Sequence, residues 1–282
     1  MHCLIDGDLV AYRCAASVGD GAEDIAHARC DTLVRELLHA TNSDYYTCYL
    51  TGRNNFRKEI NPDYKANRKD TVPPQWLQSC RQFLVQEWNA IVSDGCEADD
   101  LLGINQTDDS IIASLDKDLL MIPGNHYNWL HGEFSTTQIE DGIKHFYTQM
   151  LNGDKSDNIY GFDGVARAKV PKFILKIMEP LETEQEMIDV VFAKYNEDVD
   201  RFIMNAQCLW ILQREGETWA HRINPSILPP LLQQGLEATL KSMKSFMVDT
   251  SMEPTMNHLQ TSGILVNGIW PDSMEAESQP LT

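Results

Sequence analysis

Four short apolar runs alternate with helix-like segments in the first half of the chain. The runs are CLI at 3–5, YYTCYL at 45–50, NAIVS at 89–93 and SIIASL at 110–115. Between them, the segments 24–40, 76–88 and 97–104 carry the apolar spacing or the starting signals of helices. Strands that alternate with helices are typical of a parallel sheet covered by helices. We therefore expect an α/β fold with a parallel, helix-flanked central sheet.

The predicted organisation has three parts. Residues 1–141 are expected to form the α/β core, 142–225 a mainly helical part and 226–282 a C-terminal extension. The last stretch, from about residue 246, is polar and lacks a clear period, which is typical of loosely ordered chain. A length of 282 residues allows one large domain, or one domain with a smaller appendage.

Composition excludes several classes of protein. The apolar runs are too short for a membrane span, and the N-terminus lacks the pattern of a signal peptide. Seven scattered cysteines, without a C-x-x-C pair, indicate free thiols in a reducing compartment. These features predict a cytoplasmic protein without a membrane partner.

The charge is unevenly distributed. The chain holds 23 basic and 42 acidic residues, a net charge of −19, which argues against a protein that coats nucleic acid uniformly. Two basic islands stand out, because residues 53–69 carry six basic against two acidic residues and residues 163–178 carry four against one. Such islands on an acidic body indicate localised contact with phosphates.

Acidic residues follow three of the predicted strands. Asp6 follows the first run, the EADD sequence at 97–100 follows the third, and Asp116 follows the fourth. Because the carboxyl ends of parallel strands meet at one edge of a sheet, these side chains are expected to converge. A further pair, Asp154 and Asp157, has the spacing that places two side chains on one side of a helical turn. A single aspartate after a strand is usually a cap or turn residue, but four acidic groups indicate a site.

Converging carboxylates repel one another, so some must bind protons or a cation. An all-oxygen ligand set, without a histidine or cysteine cluster beside it, favours Mg²⁺ or Mn²⁺ over zinc. We expect two ions. With basic islands nearby, the pattern predicts metal-assisted hydrolysis of a phosphodiester.

Five motifs follow one another along the chain: IDGDLVAYR, NPDYKANRK, GCEADD, SLDKDL and NGDKSDNIYGFDGV. In this order they resemble the motifs of the 5′-nuclease family, which includes flap endonucleases and phage exonucleases. The run NFRKEINPDYKANRK is most similar to the 5′→3′ exonucleases of T-odd phages. The resemblance implies a PIN-like core with a helical arch at 52–75, followed by a helix–three-turn–helix. By resemblance, the metal ligands are Asp6, Glu97, Asp99, Asp100, Asp116, Asp118, Asp154 and Asp157.

The resemblance also assigns roles to the basic islands. Lys65 and Arg68 match the catalytic basic pair of the arch, and Arg13 matches an arginine near the same phosphate. Tyr64 is a candidate for stacking on a base, and Arg57 is assigned to DNA binding. In the helix–three-turn–helix, glycines permit close backbone approach and basic side chains contact phosphates. These DNA-binding candidates are Gly161, Gly164, Arg167, Lys169 and Lys172.

Two positions depart from the family pattern. Thr51-Gly52 stands where many members have an aspartate, and Asp8 is a candidate to compensate. Ala166 replaces a glycine in the turn that often holds K⁺ by its carbonyl oxygens, which weakens the expectation of a K⁺ site.

The resemblance implies a metal-dependent 5′→3′ exonuclease or structure-specific flap endonuclease of phage or bacterial cytoplasm. Its substrate would be DNA with a 5′ end, overhang or flap, during primer removal or 5′-strand resection. RNA–DNA hybrids and replication proteins are further candidate partners. The residues leave three alternatives open: a phosphatase of the haloacid-dehalogenase type, a PIN-type ribonuclease, and a structure-specific DNA-binding protein with a decayed metal site.

Overall fold

The structure, a computed structural model, describes residues 1–249, with side chains described as far as residue 243. The predicted C-terminal extension begins within this range, and its part from residue 250 onward lies outside the described residues.

A six-stranded sheet forms the centre of the fold. Its strands follow the order β3-β2-β1-β4-β5-β6, and all neighbours are parallel except the antiparallel pair β5–β6. The predicted helix-flanked sheet is confirmed, although it is mostly rather than wholly parallel. The strands are β1 (His2–Asp6), β2 (Tyr45–Leu50), β3 (Ile91–Val92), β4 (Ser110–Ala113), β5 (Gly124–Asn128) and β6 (Glu133–Thr137).

Helices cover both faces of the sheet. On β1, Cys3 and Ile5 face one apolar cluster and Leu4 faces the other, because successive strand side chains point to opposite faces. The cluster around Cys3 and Ile5 includes three helices, α1 (Gly7–Val18), α2 (Glu23–Ala40) and α4 (Leu77–Glu87). The cluster around Leu4 includes α5 (Ala98–Asn105) and the C-terminal helices.

The predicted arch segment, 52–75, contains less helix than expected. Its only regular structure is one turn of α-helix, α3 (Arg57–Ile60), and one 3-10 turn at Ala66–Arg68. The segment lies against the turn at 155–157, where the backbone N–H of Lys65 donates to the carbonyl oxygen of Asp157 at 2.9 Å. Its basic side chains are therefore held at the acidic end of the sheet.

The second half is mainly helical, as predicted. A short antiparallel hairpin, β7 (Gly153–Asp154) with β8 (Ile159–Tyr160), separates the first two of its helices. Within residues 1–249 no helix is both long and apolar enough to cross a membrane. The helices are α6 (Ile139–Asn152), α7 (Lys172–Met178), α8 (Glu184–Lys194), α9 (Val199–Leu209), α10 (Trp219–Arg222) and α11 (Pro230–Asp249).

Candidate active site

The first acid ends β1 and also begins a helix. One oxygen of Asp6 accepts the backbone N–H of Leu9 at 3.1 Å, so the side chain caps α1. The hydroxyl of Ser114 donates to its other oxygen at 2.7 Å. Asp6 is thereby held, buried, at the carboxyl edge of the sheet.

Ser114 links this acid to the end of β4. Its hydroxyl oxygen accepts the backbone N–H of Asp116 at 3.0 Å, and Asp116 in turn accepts the N–H of Asp118 at 2.9 Å. The amide of Gln149, on α6, donates to Asp118. Sequence reasoning missed Ser114 and Gln149 because neither is acidic or basic, and only the position of Ser114 between β4 and Asp116 gave a signal.

Asp154 and Asp157 lie in a turn rather than on a helix, so the predicted helical turn is wrong. Asp154 ends β7, and one of its oxygens accepts from the backbone N–H and the hydroxyl of Ser156 at 2.6 and 2.5 Å and from the N–H of Asp157 at 3.1 Å. An aspartate that bonds the backbone two residues on forms an Asx turn, which uses the same spacing as a helical turn.

The arch segment places two basic side chains among these acids. The ammonium of Lys65 lies 2.5 Å from Glu97 Oε1 and 3.6 Å from Asp157 Oδ1. Arg68 donates to Asp157 at 2.8 Å. Lys65 has a left-handed backbone, with φ of 55°, and such strain in a non-glycine residue often accompanies function.

Tyr64 does not offer a face to a base, so the predicted stacking role is wrong. Its side chain is 3% exposed, and its hydroxyl lies 2.9 Å from Glu97 Oε2 and 2.7 Å from Asp157 Oδ2. The tyrosine therefore belongs to the acidic site and fixes the spacing of two carboxylates.

Arg57 and Asp100 form a buried ion pair, which corrects two predicted roles. The guanidinium binds both oxygens of Asp100, at 2.6 and 2.8 Å, and also donates to the carbonyl oxygens of Cys208 and Trp210. Asp100 further accepts the N–H groups of Glu97 and Leu212, each at 2.9 Å. Each oxygen of Asp100 thus has two donors, which leaves it no capacity for a metal, and Arg57 is too deeply buried to touch DNA.

Arg13, a predicted catalytic residue, contacts an aromatic ring. Its guanidinium carbon lies 5.2 Å from the ring centre of Trp129, a cation–π contact. The side chain lines a groove between α1 and α2 together with Arg29.

The two residues after β2, Thr51 and Gly52, have structural roles. The hydroxyl oxygen of Thr51 accepts the N–H of Ala98 at 3.0 Å, at the start of α5. A Cβ on Gly52 would lie 1.9 Å from the carbonyl oxygen of Ser93, so no side chain fits there. Asp8 binds Arg81 with one oxygen and the N–H of Thr51 with the other, and so does not replace the missing acid.

Burial, and then mutual repulsion, raises the pKa of several acids. Burial, with the charge of Asp116 as a smaller cause, raises the pKa of Asp6 to about 6. Burial and the charge of Asp116 raise the pKa of Asp118 to about 9. Burial and then the charge of Asp6 raise the pKa of Asp99 well above its usual value. A nearby cation would stabilise the charged form of these carboxylates.

The donor set fits a hard divalent ion. Five of the predicted ligands line one small cavity, and carboxylates are the most numerous polar groups in its wall. Within residues 1–249, no three acidic, histidine or cysteine side chains converge tightly enough to enclose an ion as they stand. Some carboxylates contact Lys65 and Arg68 instead, so ion binding requires side-chain rotation. The five ligands are Glu97, Asp99, Asp118, Asp154 and Asp157.

The second basic island forms a turn between β8 and α7. Gly161 is packed so closely that a Cβ would lie 2.2 Å from the carbonyl oxygen of Leu151, and Gly164 has φ of +76°. Arg167 is paired with Asp163, whereas Lys169 and Lys172 are exposed. Ala166 does not have positive φ, so its Cβ causes no strain of the kind expected.

The chain thus combines an α/β sheet that has an acidic carboxyl edge with basic residues packed on that edge and a helical second half. Residues 1–153 match the family model described as 5′-3′ exonuclease, N-terminal resolvase-like domain. The chain belongs to this family, which confirms the predicted resemblance to phage 5′-nucleases.

One relative is an exodeoxyribonuclease of Enterobacteria phage T3. It is 28% identical over 189 residues, which are 57% of this chain and 62% of that protein. The chain thus spans less than two thirds of the length of this relative.

Solved structures of phage T5 proteins share the fold. A T5 protein co-crystallized with metal ions aligns with a TM-score of 0.54 at 14% identity, over 86% of this chain and 98% of that one. T5 5′-exonuclease with divalent metal ions (zinc) bound gives 0.53 at 15%, over 86% and 99%. A T5 flap endonuclease variant in a pseudo-enzyme-product complex with DNA and metal ions gives 0.51 at 15%, over 86% and 98%. At these identities the likeness shows the fold.

Proposed function

We propose that this protein is a divalent-metal-dependent 5′→3′ exonuclease that also cuts 5′ flaps in DNA. One observation carries the proposal: Lys65 and Arg68 of the arch segment contact Glu97 and Asp157 of the acidic cluster. Cations and carboxylates at one edge suit a phosphodiester, because the acids hold metal and the cations meet the phosphate.

Seven of the eight predicted acids are proposed to hold the metal. Asp100 is excluded because Arg57 and backbone N–H groups occupy its oxygens. A divalent ion there would supply positive charge for the attacking water and for the leaving oxygen. Mg²⁺ and Mn²⁺ suit the carboxylate donors best, and the spread of acids over several elements suits two ions. The seven are Asp6, Glu97, Asp99, Asp116, Asp118, Asp154 and Asp157.

The arch residues are proposed to position the scissile phosphate. Lys65 and Arg68 can exchange a carboxylate for a phosphate oxygen by side-chain rotation, since both lie partly exposed at the surface of the cluster. Arg68 is 52% exposed and offers a planar fork that matches two phosphate oxygens. Tyr64, beneath them, holds Glu97 and Asp157 in place.

The turn between β8 and α7 is proposed to hold the duplex. The backbone N–H groups of residues 166–169 have no partner within the part of the chain that the structure describes. Together with Lys169 and Lys172 they offer donors to a phosphate, which gives affinity without reading sequence. Substrates would be DNA with a 5′ end, overhang or flap. RNA–DNA hybrids and replication proteins are further proposed partners, and the family resemblance is what supports them.

The geometry disfavours the alternatives. A haloacid-dehalogenase-type phosphatase needs both acids of its D-x-D loop free, but the second acid, Asp8, binds Arg81 and the backbone N–H of Thr51. A DNA-binding protein with a decayed site would not retain seven clustered acids with raised pKa values among them. The duplex-binding turn has no role in a minimal PIN-type ribonuclease.

End-labelled DNA with a 5′ overhang or flap tests the proposal. We expect cleavage with Mg²⁺ or Mn²⁺, none with chelator, and no hydrolysis of p-nitrophenyl phosphate. Asp116→Asn should lower turnover at least about 10³-fold while DNA binding at low salt is kept, since it removes a carboxylate from the cluster. Asp108→Asn, at an acid outside the cluster, is the control. Near-normal turnover of Asp116→Asn, or binding without cleavage by the wild type, would overturn the proposal.

A further inference from the structure

The turn between β8 and α7 rests on one arginine of α9. Arg201 donates from Nη2 to the carbonyl oxygens of Gly161 and of Tyr160, the latter at 3.3 Å, and from Nη1 to that of Phe162 at 3.5 Å. Three successive carbonyl oxygens thus face a single guanidinium. The contacts span about forty residues of sequence, so they join two elements rather than one local turn.

Neighbouring side chains fix this guanidinium in place. It lies over the ring of Tyr195, 5.1 Å from the ring centre. The amide of Asn205, one helical turn further along α9, donates to Tyr160 O and to the hydroxyl of Tyr195, each at 2.9 Å. The Tyr195 hydroxyl donates to Met150 O at 2.6 Å. Asn205 and Tyr195 are buried, so the arrangement is rigid.

Carbonyl oxygens turned toward one positive charge form the kind of site that binds a monovalent cation. Here the charge belongs to the protein, because an arginine stays protonated at all ordinary pH values. A K⁺ ion does not fit at these three carbonyl oxygens, since the guanidinium already binds them. The carbonyl oxygens of residues 160–162 are therefore not available to K⁺.

We infer that Arg201 is a positioning residue that replaces a monovalent cation beneath the duplex-binding turn, so that DNA binding does not require K⁺. The inference rests on the proposed function for its DNA readout. It differs from that function because Arg201 acts through the backbone of residues 160–162 and contacts neither the acidic cluster nor a nucleotide.

Wild-type protein alone provides the first test. Affinity for a 5′-overhang duplex is measured with Ca²⁺, which binds carboxylates and prevents turnover, in KCl and then in NaCl at one ionic strength. We expect the two dissociation constants to agree within about twofold, because the fixed guanidinium makes the cation redundant. Binding more than about fivefold tighter in KCl would overturn the inference.

Variants provide the second test. Arg201→Gln should weaken duplex binding about tenfold, because it loses charged hydrogen bonds to the turn. Arg201→Lys should recover only part of the loss, since one ammonium cannot span three oxygens. Arg214→Gln is the matched control, because that arginine is largely exposed and, among the described residues, pairs with Glu217 alone. Full affinity in Arg201→Gln would overturn the inference.

Hydrogen exchange separates this inference from the proposed function. Exchange of the amides of residues 160–165 is compared in wild type and Arg201→Gln without DNA, in both salts. We expect at least about tenfold faster exchange in the variant and no effect of K⁺ on the wild type. Unchanged exchange in the variant refutes the role of Arg201. If the exchange result holds and no duplex binds, the proposed function fails and the structural role stands.

Discussion

Ser114 has a central position among single residues, because one hydroxyl group joins the ends of two strands. It donates to Asp6 and accepts from the backbone of Asp116. Removal of a group that orients metal ligands typically lowers metal affinity or activity by about 10- to 100-fold. The acids themselves were predictable from their positions after strands, whereas this neutral side chain was not.

Ser114→Ala is expected to lower turnover and the affinity for Mn²⁺ about 10- to 100-fold, while the protein remains folded. Titration of activity with Mn²⁺ and a thermal melt measure the two effects. Ser17→Ala is the control, since within residues 1–249 that hydroxyl bonds just Cys14 O and Arg29, on the surface of α1. Unchanged metal affinity would show that Asp6 and Asp116 are positioned by other contacts.

Asp100 and Asp116 are expected to respond oppositely to the same substitution. Asp100→Asn leaves Arg57 buried without its partner, which costs about 3–5 kcal/mol of the free energy of unfolding. Asp116→Asn removes repulsion and should leave that free energy unchanged or higher. Urea denaturation of the metal-free variants measures both. Equal destabilisation would contradict the assignment of Asp100 to the core and Asp116 to the metal site.

The residues that sequence reasoning placed wrongly share one cause. Arg57 and Tyr64 belong to a strongly basic, polar segment, and nothing in its composition marks which side chains turn inward. Their partners, Asp100 and Asp157, are 43 and 93 residues away along the chain. Such pairings depend on how the elements pack, which local patterns do not encode.

At the scale of elements, apolar strands were predictable and polar ones were not. YYTCYL forms β2 over the predicted residues, Tyr45–Leu50. The strands β5 and β6 were missed because GNHYN and EFSTT are rich in polar residues, and β6 is an edge strand. The helix α1 was missed because most of its buried side chains are small, so its apolar spacing is a weak signal. The i,i+3 spacing of Asp154 and Asp157 suits a helix and an Asx turn equally.

Substitution by alanine is expected to have a larger effect at one glycine of the duplex-binding turn than at the other. Gly161→Ala drives a Cβ into the carbonyl oxygen of Leu151, so the turn must shift away from α6. A Cβ on Gly164 would have no atom within 4 Å, so Gly164→Ala adds only the backbone strain of φ of +76°. That strain lowers the free energy of unfolding by about 1–2 kcal/mol. Gly161→Ala should therefore lower the melting temperature and duplex affinity more. Gly132→Ala, at a distant turn with φ of +67°, is the control for backbone strain alone.

At the scale of the whole molecule, the acidic edge makes stability depend on pH and metal. Asp6 and Asp118 have folded pKa values of about 6 and about 9, above the value of about 4 in an unfolded chain. The folded state therefore holds more protons, and its stability is full below about pH 4 and declines as pH rises through the two folded values.

We expect the melting temperature of the metal-free protein to fall between pH 5 and pH 9, and Mn²⁺ to raise it more at pH 8 than at pH 5. The ion binds only deprotonated carboxylates and relieves their repulsion, which favours the folded state. Scanning calorimetry with chelator and with Mn²⁺ measures both effects. A Mn²⁺ effect that is larger at pH 5 would contradict the assignment of these acids.

Whole-molecule features were the most predictable of all. Alternating patterns predicted the layered α/β core, and scattered cysteines predicted the seven free thiols that the structure shows. The division at 1–141, 142–225 and 226–282 stays a prediction, although α11 carries two buried leucines, Leu232 and Leu236, into the core.

The tight crossing of Gly52 over Ser93 limits how this site can change over evolutionary time. An aspartate at residue 52 is sterically closed, because backbone atoms rather than a flexible side chain occupy the space. An aspartate at residue 51 would remove the Thr51 hydroxyl, whose oxygen accepts the backbone N–H of Ala98 at the start of α5. A lineage carrying this backbone can regain an acid after β2 by one mutational route, and that route begins with the loss or replacement of a helix cap.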